Sequence, residues 1–226
     1  MSELPLHAIL LLIAWGTAVA LDLVSVPQVM IARPVVAGAV AGLLTGDVEA
    51  GFRIGVLFEL FALDVLPIGA VRYPDYGPAT VAATALAVGA PWELGLGISA
   101  ALGLLLAALG GWSLTMVRRS NARAIQRHAA ALAAGESSAI RRLQYGGILR
   151  DAARGAALTI LGLVLAWSIA QFVHLDRRTA VGLTLVAIGS ALSAIVSGAV
   201  RSAGRGARLK WMLVGLAAGV LVVALW

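Results

Sequence analysis

The stretch GFRIGVLFELFALDVLPIGAVRYPDYGPAT, residues 51–80, decides how this chain folds. It begins as an apolar segment fit to cross a bilayer, yet it carries two carboxylates, Glu59 and Asp64. An ionised side chain at membrane depth costs at least ~2.5–3.5 kcal/mol, so it usually faces a partner, a wet cavity or a substrate. A segment broken by proline and glycine follows, and it contains Arg72 and Asp75. Many transporters build a binding site from such discontinuous apolar segments.

The composition of the whole chain indicates an integral membrane protein made of helices. Of its 226 residues, 61% are hydrophobic and only 12% are charged, whereas a soluble domain carries about 25% charged residues. Long runs of Ala, Leu, Val and Gly are typical of helices that pack closely through small residues. Alternating barrel strands of ~10 residues are not visible. We therefore predict an all-α, polytopic helix bundle with short re-entrant or broken helices.

Apolar segments follow one another along the chain. They fall at 8–26, 33–46, 51–71, 76–90, 93–117, 155–174, 180–200 and 211–226. A spanning helix needs ~20 residues, with ~17 near the lower limit. Most of the segments reach that length, including 51–71. The first segment, 8–26, is expected to be a membrane helix rather than a cleaved signal. Segments 33–46 and 76–90 are too short and are interpreted as half-helices or re-entrant hairpins, and 211–226 is marginal.

Basic residues cluster in two polar stretches. Stretch 118–154 holds eight arginines against Glu136 and Asp151, and with the cluster at 201–210 it holds twelve of the seventeen basic residues. The positive-inside rule places both stretches in the cytoplasm. Within the first, residues 122–134 have the composition of a helix that lies on the inner membrane surface.

These features divide the chain into three regions. We expect an N-terminal membrane region over 1–117 that contains the candidate site, a basic cytoplasmic loop with its surface helix over 118–154, and C-terminal membrane helices over 155–226. The overall charge of +6 is concentrated in the polar stretches. A basic nucleic-acid-binding surface is therefore a poor interpretation of that charge.

Glu59 and Asp64 are the first candidate site residues. For Glu59 we favour a function, as an acceptor for a polar solute or as a proton carrier, over an internal pair with Arg53, Arg72 or another helix. Asp64 is a ligand or a cap for the helix break before Pro67, and the sequence leaves these two roles equally open.

The broken segment and the end of the first apolar segment supply the other candidates. Two glycines and three prolines within 67–78 make a continuous helix improbable, and broken backbone, as at Ile68 and Gly69, exposes groups that bind a hydroxylated solute. Asp75 is a ligand or an N-cap for 76–90. Gln28 offers both a donor and an acceptor, although an interfacial loop role is slightly favoured. The pair at 46–47 is interpreted as structural.

Other kinds of chemistry find little support in the sequence. Cysteine is absent and the three histidines are scattered, so no metal spacing appears. There is no nucleophile motif and no phosphate-binding loop. We expect no cofactor and no catalytic residue, and a membrane enzyme with its own chemistry is the least favoured reading.

An ordered set of motifs resembles a known family. The pieces are Arg33-Pro34, Gly46-Asp47, Gly55, Leu57, Glu59, Ala62-Leu63, Ile68-Gly69-Ala70 and Pro74-Asp75. In this order and spacing they resemble the IIC subunit of the mannose/fructose/sorbose family of the phosphoenolpyruvate-dependent sugar phosphotransferase system. The similarity is strongest over 28–85, and later segments agree in hydropathy rather than in motif.

The resemblance implies a multi-pass permease of the bacterial inner membrane. It implies an oligomeric complex with a IID membrane subunit and with IIA and IIB subunits, in which IIB phosphorylates the translocated sugar and IIC carries no phosphohistidine. It also implies that Glu59, Asp75 and the 67–70 turn face the sugar, with Gln28 less secure. Membrane lipid is an expected partner, and nucleic acid is not.

Departures from the family pattern keep alternatives open. Pro67 stands where many members have a polar residue, and Arg72 adds a charge that suits an anionic sugar through bidentate carboxylate contact. The chain is also shorter than typical members. The alternatives are a proton-coupled secondary transporter, with Glu59 or Asp64 as carrier, and a non-transporting regulatory subunit of a degenerate system.

Overall fold

The described part of the protein is a bundle of helices. The computed structural model describes residues 4–64, 72–88 and 92–202, together with residues 210 and 214. The helices are α1 Leu6–Val24, α2 Pro34–Thr45, α3 Val48–Ala62, α4 Tyr76–Ala87, α5 Trp92–Arg127, α6 Ala129–Ala133, α7 Ser137–Phe172 and α8 Arg177–Ser202. No strand occurs among the described residues, and α1, α5, α7 and α8 are long and apolar enough to cross a membrane. This confirms the all-α prediction.

Two short helices form a tight hairpin before the broken segment. The α2 helix begins at Pro34 and ends at Thr45, and its C-cap residue Gly46 has a left-handed φ of 84°. Asp47 then caps α3 by accepting a hydrogen bond of 2.9 Å from the Ala50 N–H. The structural role predicted for 46–47 is confirmed, as is the short length of 33–46.

The third helix is shorter than the hydropathy of the sequence suggested. It ends at Ala62, and Leu63 and Asp64 lie in a turn. The prediction of a spanning helix over 51–71 is wrong, because a 15-residue helix falls short of the ~20 residues that a span needs. Hydropathy reports that a segment is apolar but not where its helix ends. The marginal segment 211–226 lies outside the described residues except for residue 214.

Glycines allow the backbones of α2 and α3 to touch. Gly38 and Gly42 on α2 face Gly51 and Gly55 on α3, and a Cβ added to Gly51 would overlap the carbonyl oxygen of Gly38. A Cβ added to Gly55 would lie 2.7 Å from the Pro34 carbonyl oxygen. Each pair is four residues apart, so both glycines of a helix lie on one face. The spacing holds the two helices at backbone contact, as small residues do in membrane bundles.

The fourth helix occupies the centre of the bundle. All residues from Gly77 to Ala87 are buried, and most of them are small. Phe58 of α3 and Leu106 of α5 are fully buried beside it. A helix that is apolar all round belongs inside a bundle. The short length predicted for 76–90 is confirmed, and the burial places the start of α4 deep in the protein.

The two longest helices extend past the bundle as a basic hairpin, residues 118–154. With 36 residues each, α5 and α7 are about 54 Å long, against a hydrocarbon core of ~30 Å. The prediction of a surface helix over 122–134 is wrong, because residues 122–127 continue α5 and the five-residue α6 joins the two long helices. The basic stretch is therefore a helical extension of two membrane helices rather than a separate loop.

Candidate functional site

A buried aspartate fixes the loop between α1 and α2. Asp22 is 3% exposed, and its two carboxylate oxygens accept hydrogen bonds from the N–H groups of Val29 (2.6 Å) and Ala32 (2.9 Å). The loop between α1 and α2 includes Gln28 and Met30, whose φ angles are both positive. Asp22 was not among the predicted site residues. Its signal was a carboxylate inside the last turns of an apolar helix.

This loop forms one wall of a cavity of about 250 Å³. The other walls are the end of α3 and the start of α4. Its lining residues are Asp22, Leu23, Gln28, Met30, Ala32, Arg33, Pro34, Ala62, Leu63, Tyr73, Pro74, Tyr76 and Gly77. Drug-sized ligands occupy pockets of ~300–1,000 Å³, so this volume suits a smaller molecule. The cavity has mostly apolar walls with a few polar groups, as ligand sites usually do.

Glu59 does not line this cavity, but it is paired with Arg33, which does. Its Oε1 forms an ion pair with the Arg33 guanidinium, and its Oε2 accepts a hydrogen bond of 3.3 Å from the Val35 N–H. The carboxylate is 17% exposed, whereas the Arg33 side chain is 51% exposed and lines the cavity. Of the alternatives predicted for Glu59, the structure shows a pair with a residue at the start of another helix. Arg53 pairs instead with Glu49 on its own helix. Glu59 thus holds the first turn of α2 and positions Arg33.

Asp75 is fully buried in a charged network and does not line the cavity. It is the N-cap residue of α4 by position, and its Oδ2 accepts a hydrogen bond of 2.7 Å from Arg154. Arg154 also binds Asp151 at 2.9 Å, and Asp151 accepts a 2.6 Å hydrogen bond from the Ser25 hydroxyl. This charge network, Ser25, Asp75, Asp151 and Arg154, connects the end of α1, the broken segment and α7.

Two adjacent glycines of α5, Gly110 and Gly111, allow the broken segment to pack against the backbone of that helix. The Asp75 N–H donates to the Ala107 carbonyl oxygen at 2.9 Å. A Cβ added to Gly110 would lie 2.7 Å from the Asp75 Cβ, and one added to Gly111 would overlap the Tyr73 carbonyl oxygen. Only residues without side chains leave room for the segment to contact the α5 backbone. The sequence signal was this glycine pair inside a long apolar helix.

Tyr73 anchors the same segment from the other side. Its hydroxyl oxygen accepts a hydrogen bond of 2.9 Å from Arg118, and the guanidinium also lies 5.2 Å from the ring centroid. Tyr73 is 5% exposed, so the contact is largely shielded from solvent. An arginine over an aromatic face gains from the ring quadrupole. The basic hairpin therefore holds the broken segment at two points, Arg118 and Arg154.

The remaining predicted residues are placed as follows. Gln28 lines the cavity. Asp64 lies in the turn after α3, partly exposed, and its N–H donates to the Phe61 carbonyl oxygen at 3.2 Å. Arg72 is exposed. Ile68 and Gly69 lie outside the described residues, so the predicted 67–70 turn stays a prediction, as do the roles given to these side chains.

Metal ligands do not cluster in the part of the chain that the structure describes. Residues 4–64, 72–88 and 92–202 contain no group of three or more histidine, aspartate or glutamate side chains arranged to hold an ion. The two aspartates that do cluster, Asp75 and Asp151, are both paired with Arg154.

Comparisons with known proteins identify a matching family model and several relatives of the chain. The model of the family described as "PTS system sorbose-specific iic component" matches residues 6–204. The chain is 33% identical over 131 residues to the "PTS system mannose-specific EIIC component" of Escherichia coli (strain K12), covering 57% of this chain and 48% of that protein. It is 36% identical over 88 residues to the "Fructose permease IIC component" of Bacillus subtilis (strain 168), covering 39% and 32%.

The fold also matches a solved structure. A chain from the cryo-EM structure of the mannose transporter ManYZ with microcin E492 superposes with a TM-score of 0.64 at 20% identity, over 96% of this chain and 88% of that one. Such a low identity shows a shared fold alone. The chain spans about half the length of the mannose-specific relative that it matches.

Proposed function

Because the chain belongs to the family of the sorbose-specific IIC component of the phosphotransferase system, we propose that it translocates a sugar as the membrane-embedded IIC subunit of a mannose-family complex. It is a multi-pass membrane protein with helices long and apolar enough to cross a bilayer. The observation that carries the proposal is the 250 Å³ cavity at the junction of the α1–α2 loop, the end of α3 and the broken segment.

The polar groups of the cavity suit a hydroxylated solute. Gln28 supplies both a donor and an acceptor, and Arg33 supplies several donors. Tyr76 offers a ring face and a hydroxyl, which is a common combination where a ligand has apolar and polar sides. Glu59 fixes the orientation of Arg33, so we propose that it acts through that arginine. Asp64 and Arg72 are sequence neighbours of the lining residues Leu63 and Tyr73. We propose that they contact the solute as it enters, together with the turn that contains Ile68 and Gly69.

Asp75 receives a different role in this proposal. The Asp75 carboxylate is fully buried, so a solute cannot contact it unless the surrounding helices move. We propose that Asp75 positions Pro74 and Tyr76, which do line the cavity, rather than binding the sugar itself.

Phosphoryl transfer belongs to other subunits in this proposal. The partners are a IID membrane subunit and the IIA and IIB phosphotransfer subunits, and the chain itself transports without catalysing. The arginine-rich hairpin suits an acidic soluble partner, because opposite charge raises association rates.

The test is phosphoenolpyruvate-driven phosphorylation of a sugar panel by vesicles. The vesicles contain this chain, its neighbouring subunits and the general phosphotransfer proteins. We expect Glu59→Gln to lower product formation about tenfold or more while the protein remains in the membrane, since it releases Arg33. The matched control is Glu49→Gln, which breaks an exposed pair on the same helix and leaves activity unchanged. Equal activity of all three proteins contradicts the proposed role of Glu59.

The same vesicles separate the alternatives. A proton-coupled transporter with Glu59 or Asp64 as carrier loses uptake when a protonophore is added, whereas phosphorylation-coupled uptake is less sensitive. A regulatory subunit gives no product and no sugar binding although the complex with an intact IID subunit is assembled.

A further inference from the structure

A second cavity lies where the end of α1 meets the basic hairpin. Its volume is about 360 Å³, and we call it the hairpin cavity. Its lining residues are Ser25, Val26, Asn121, Ala124, Ile125, Leu143, Gln144, Gly147, Ile148 and Arg150. None of them lines the candidate sugar cavity, so this is a separate site. The lining combines four polar residues, Ser25, Asn121, Gln144 and Arg150, with apolar or small ones.

Contacts between α1 and α7 set the depth of this cavity in the membrane. A Cβ added to Gly155 would meet Ala20, and the Ser25 hydroxyl binds Asp151, so the two helices run antiparallel. The apolar part of α7 begins at Gly155, and Arg150 lies about 7.5 Å before it at 1.5 Å per residue. The polar region of a bilayer extends ~5–7.5 Å beyond each face of the hydrocarbon core. With Gly155 at the face of the hydrocarbon core, Arg150 therefore lies at the level of the lipid headgroups.

The charge around the hairpin cavity is strongly positive. Arg150 lines it and donates one hydrogen bond to the Asn121 side-chain oxygen. A guanidinium has five N–H groups, so Arg150 keeps donors for a second acceptor. Further arginines are exposed on the same hairpin, at positions 119, 123, 127, 141 and 142. The acids of the hairpin are Glu136 at its far end and Asp151, which is bound by Arg154 and Ser25.

We propose that the hairpin cavity binds the phosphate of an anionic phospholipid headgroup. Arg150 donates to the phosphate, for which the planar guanidinium is well shaped, and Gln144 contacts the remaining polar headgroup. The glycerol and the first methylenes contact Val26 and Ile148. Leu149, which is 70% exposed at the same level, offers an apolar surface for the acyl chains. Basic pockets between membrane helices on the cytoplasmic side are known places for anionic headgroups.

The experiment is a lipid titration of the purified, delipidated full chain, followed by native mass spectrometry. The probes are phosphatidylglycerol and phosphatidylcholine with identical acyl chains. We expect the protein to bind phosphatidylglycerol about tenfold more tightly than phosphatidylcholine. Arg150→Gln removes the charge and lowers that affinity about tenfold, the loss expected for one charge-assisted hydrogen bond.

Two further variants sharpen the test. Gly147→Leu places a larger side chain in the hairpin cavity without removing charge, and we expect it to lower the affinity as well. The protein tolerates this change because a Cβ at position 147 makes only ordinary contacts with Asn121. Arg141→Gln removes an exposed charge of the same hairpin that does not line the cavity, and it leaves the affinity within twofold. Helical circular dichroism and gel filtration check the fold of each variant, and Gly147→Leu carries the test if Arg150→Gln does not fold.

Several results overturn the proposal. Equal affinity for the two lipids means that the net negative charge of the headgroup is not recognised. An equal loss in Arg141→Gln means diffuse attraction rather than a site. Displacement of the lipid by millimolar glycerol phosphate means that a soluble phosphate compound is the ligand. Preference for polyglutamate over phosphatidylglycerol vesicles, lost in Arg150→Gln, means that the surface serves an acidic protein. The readout is independent of transport, so failure of the proposed function does not affect it.

Discussion

Replacing Arg154 with methionine tests the charge network most directly. In the native protein the side chains of Asp75, Asp151 and Arg154 are 1%, 2% and 5% exposed. The variant keeps an unbranched side chain but removes the guanidinium, and it leaves two buried carboxylates without their cation. Removing one partner of a buried pair costs about 3–5 kcal/mol, because the charge that stays is uncompensated. For a chain of this size that loss corresponds to a fall in melting temperature of about 6–20 °C.

Thermal unfolding of the detergent-solubilised protein, followed by circular dichroism and gel filtration, measures this loss. A triple variant that adds Asp75→Asn and Asp151→Asn to Arg154→Met removes every charge of the network, and we expect it to recover more than half of the lost stability. The matched control is Arg142→Met, an exposed arginine of the same helix, with a change of at most about 0.5 kcal/mol. If Arg154→Met is as stable as this control, or the triple variant recovers nothing, the electrostatic reasoning is refuted.

Three further changes test other parts of the structure. Gly51→Val places side-chain atoms against the facing carbonyl of α2, so the yield of folded protein on gel filtration falls sharply, whereas Gly189→Ala, which meets nothing within 4 Å, leaves it unchanged. Arg72→Gln weakens competition by uronic acids more than by neutral sugars in the uptake assay if Arg72 selects anionic sugars; an unchanged preference rejects that role. Hydrogen bonds from Thr179 hold the pKa of Asp176 below its ordinary value. The carboxylate therefore stabilises the start of α8 above the unfolded-state pKa and loses this effect as the pH falls through the lowered folded-state pKa. The protection factor of the Thr179 amide, which is the exchange rate in an unfolded peptide divided by the rate in the protein at the same pH, therefore falls in acid.

Composition and short motifs predicted much of the fold. The 61% hydrophobic content indicated a helical membrane bundle, and the ordered motifs between Arg33 and Asp75 indicated the family. The lengths of α2 and α4 followed from their flanking Pro, Gly and Asp residues. These are local properties, and local sequence carries them directly.

The charge network and the end of α3 could not be predicted in this way. Asp75 and Arg154 are separated by 79 positions, so no spacing rule connects them. Arg154 also stands in an arginine-rich stretch, which made it look like one more cytoplasmic charge. Burial alone distinguishes it from its neighbours. A hydropathy profile records which residues are apolar, and it does not mark the end of α3 at Ala62.

The charge network also bears on how the protein responds to the membrane potential. With both carboxylates ionised, Asp75, Asp151 and Arg154 together carry one net negative charge in the interior of the bundle. Carrying one charge across 100 mV changes its energy by ~2.3 kcal/mol. If the network changed depth during each translocation cycle, an uncharged sugar would be taken up at a voltage-dependent rate. A rate that ignores voltage instead means that the network stays at a fixed depth while the walls of the sugar cavity move around it.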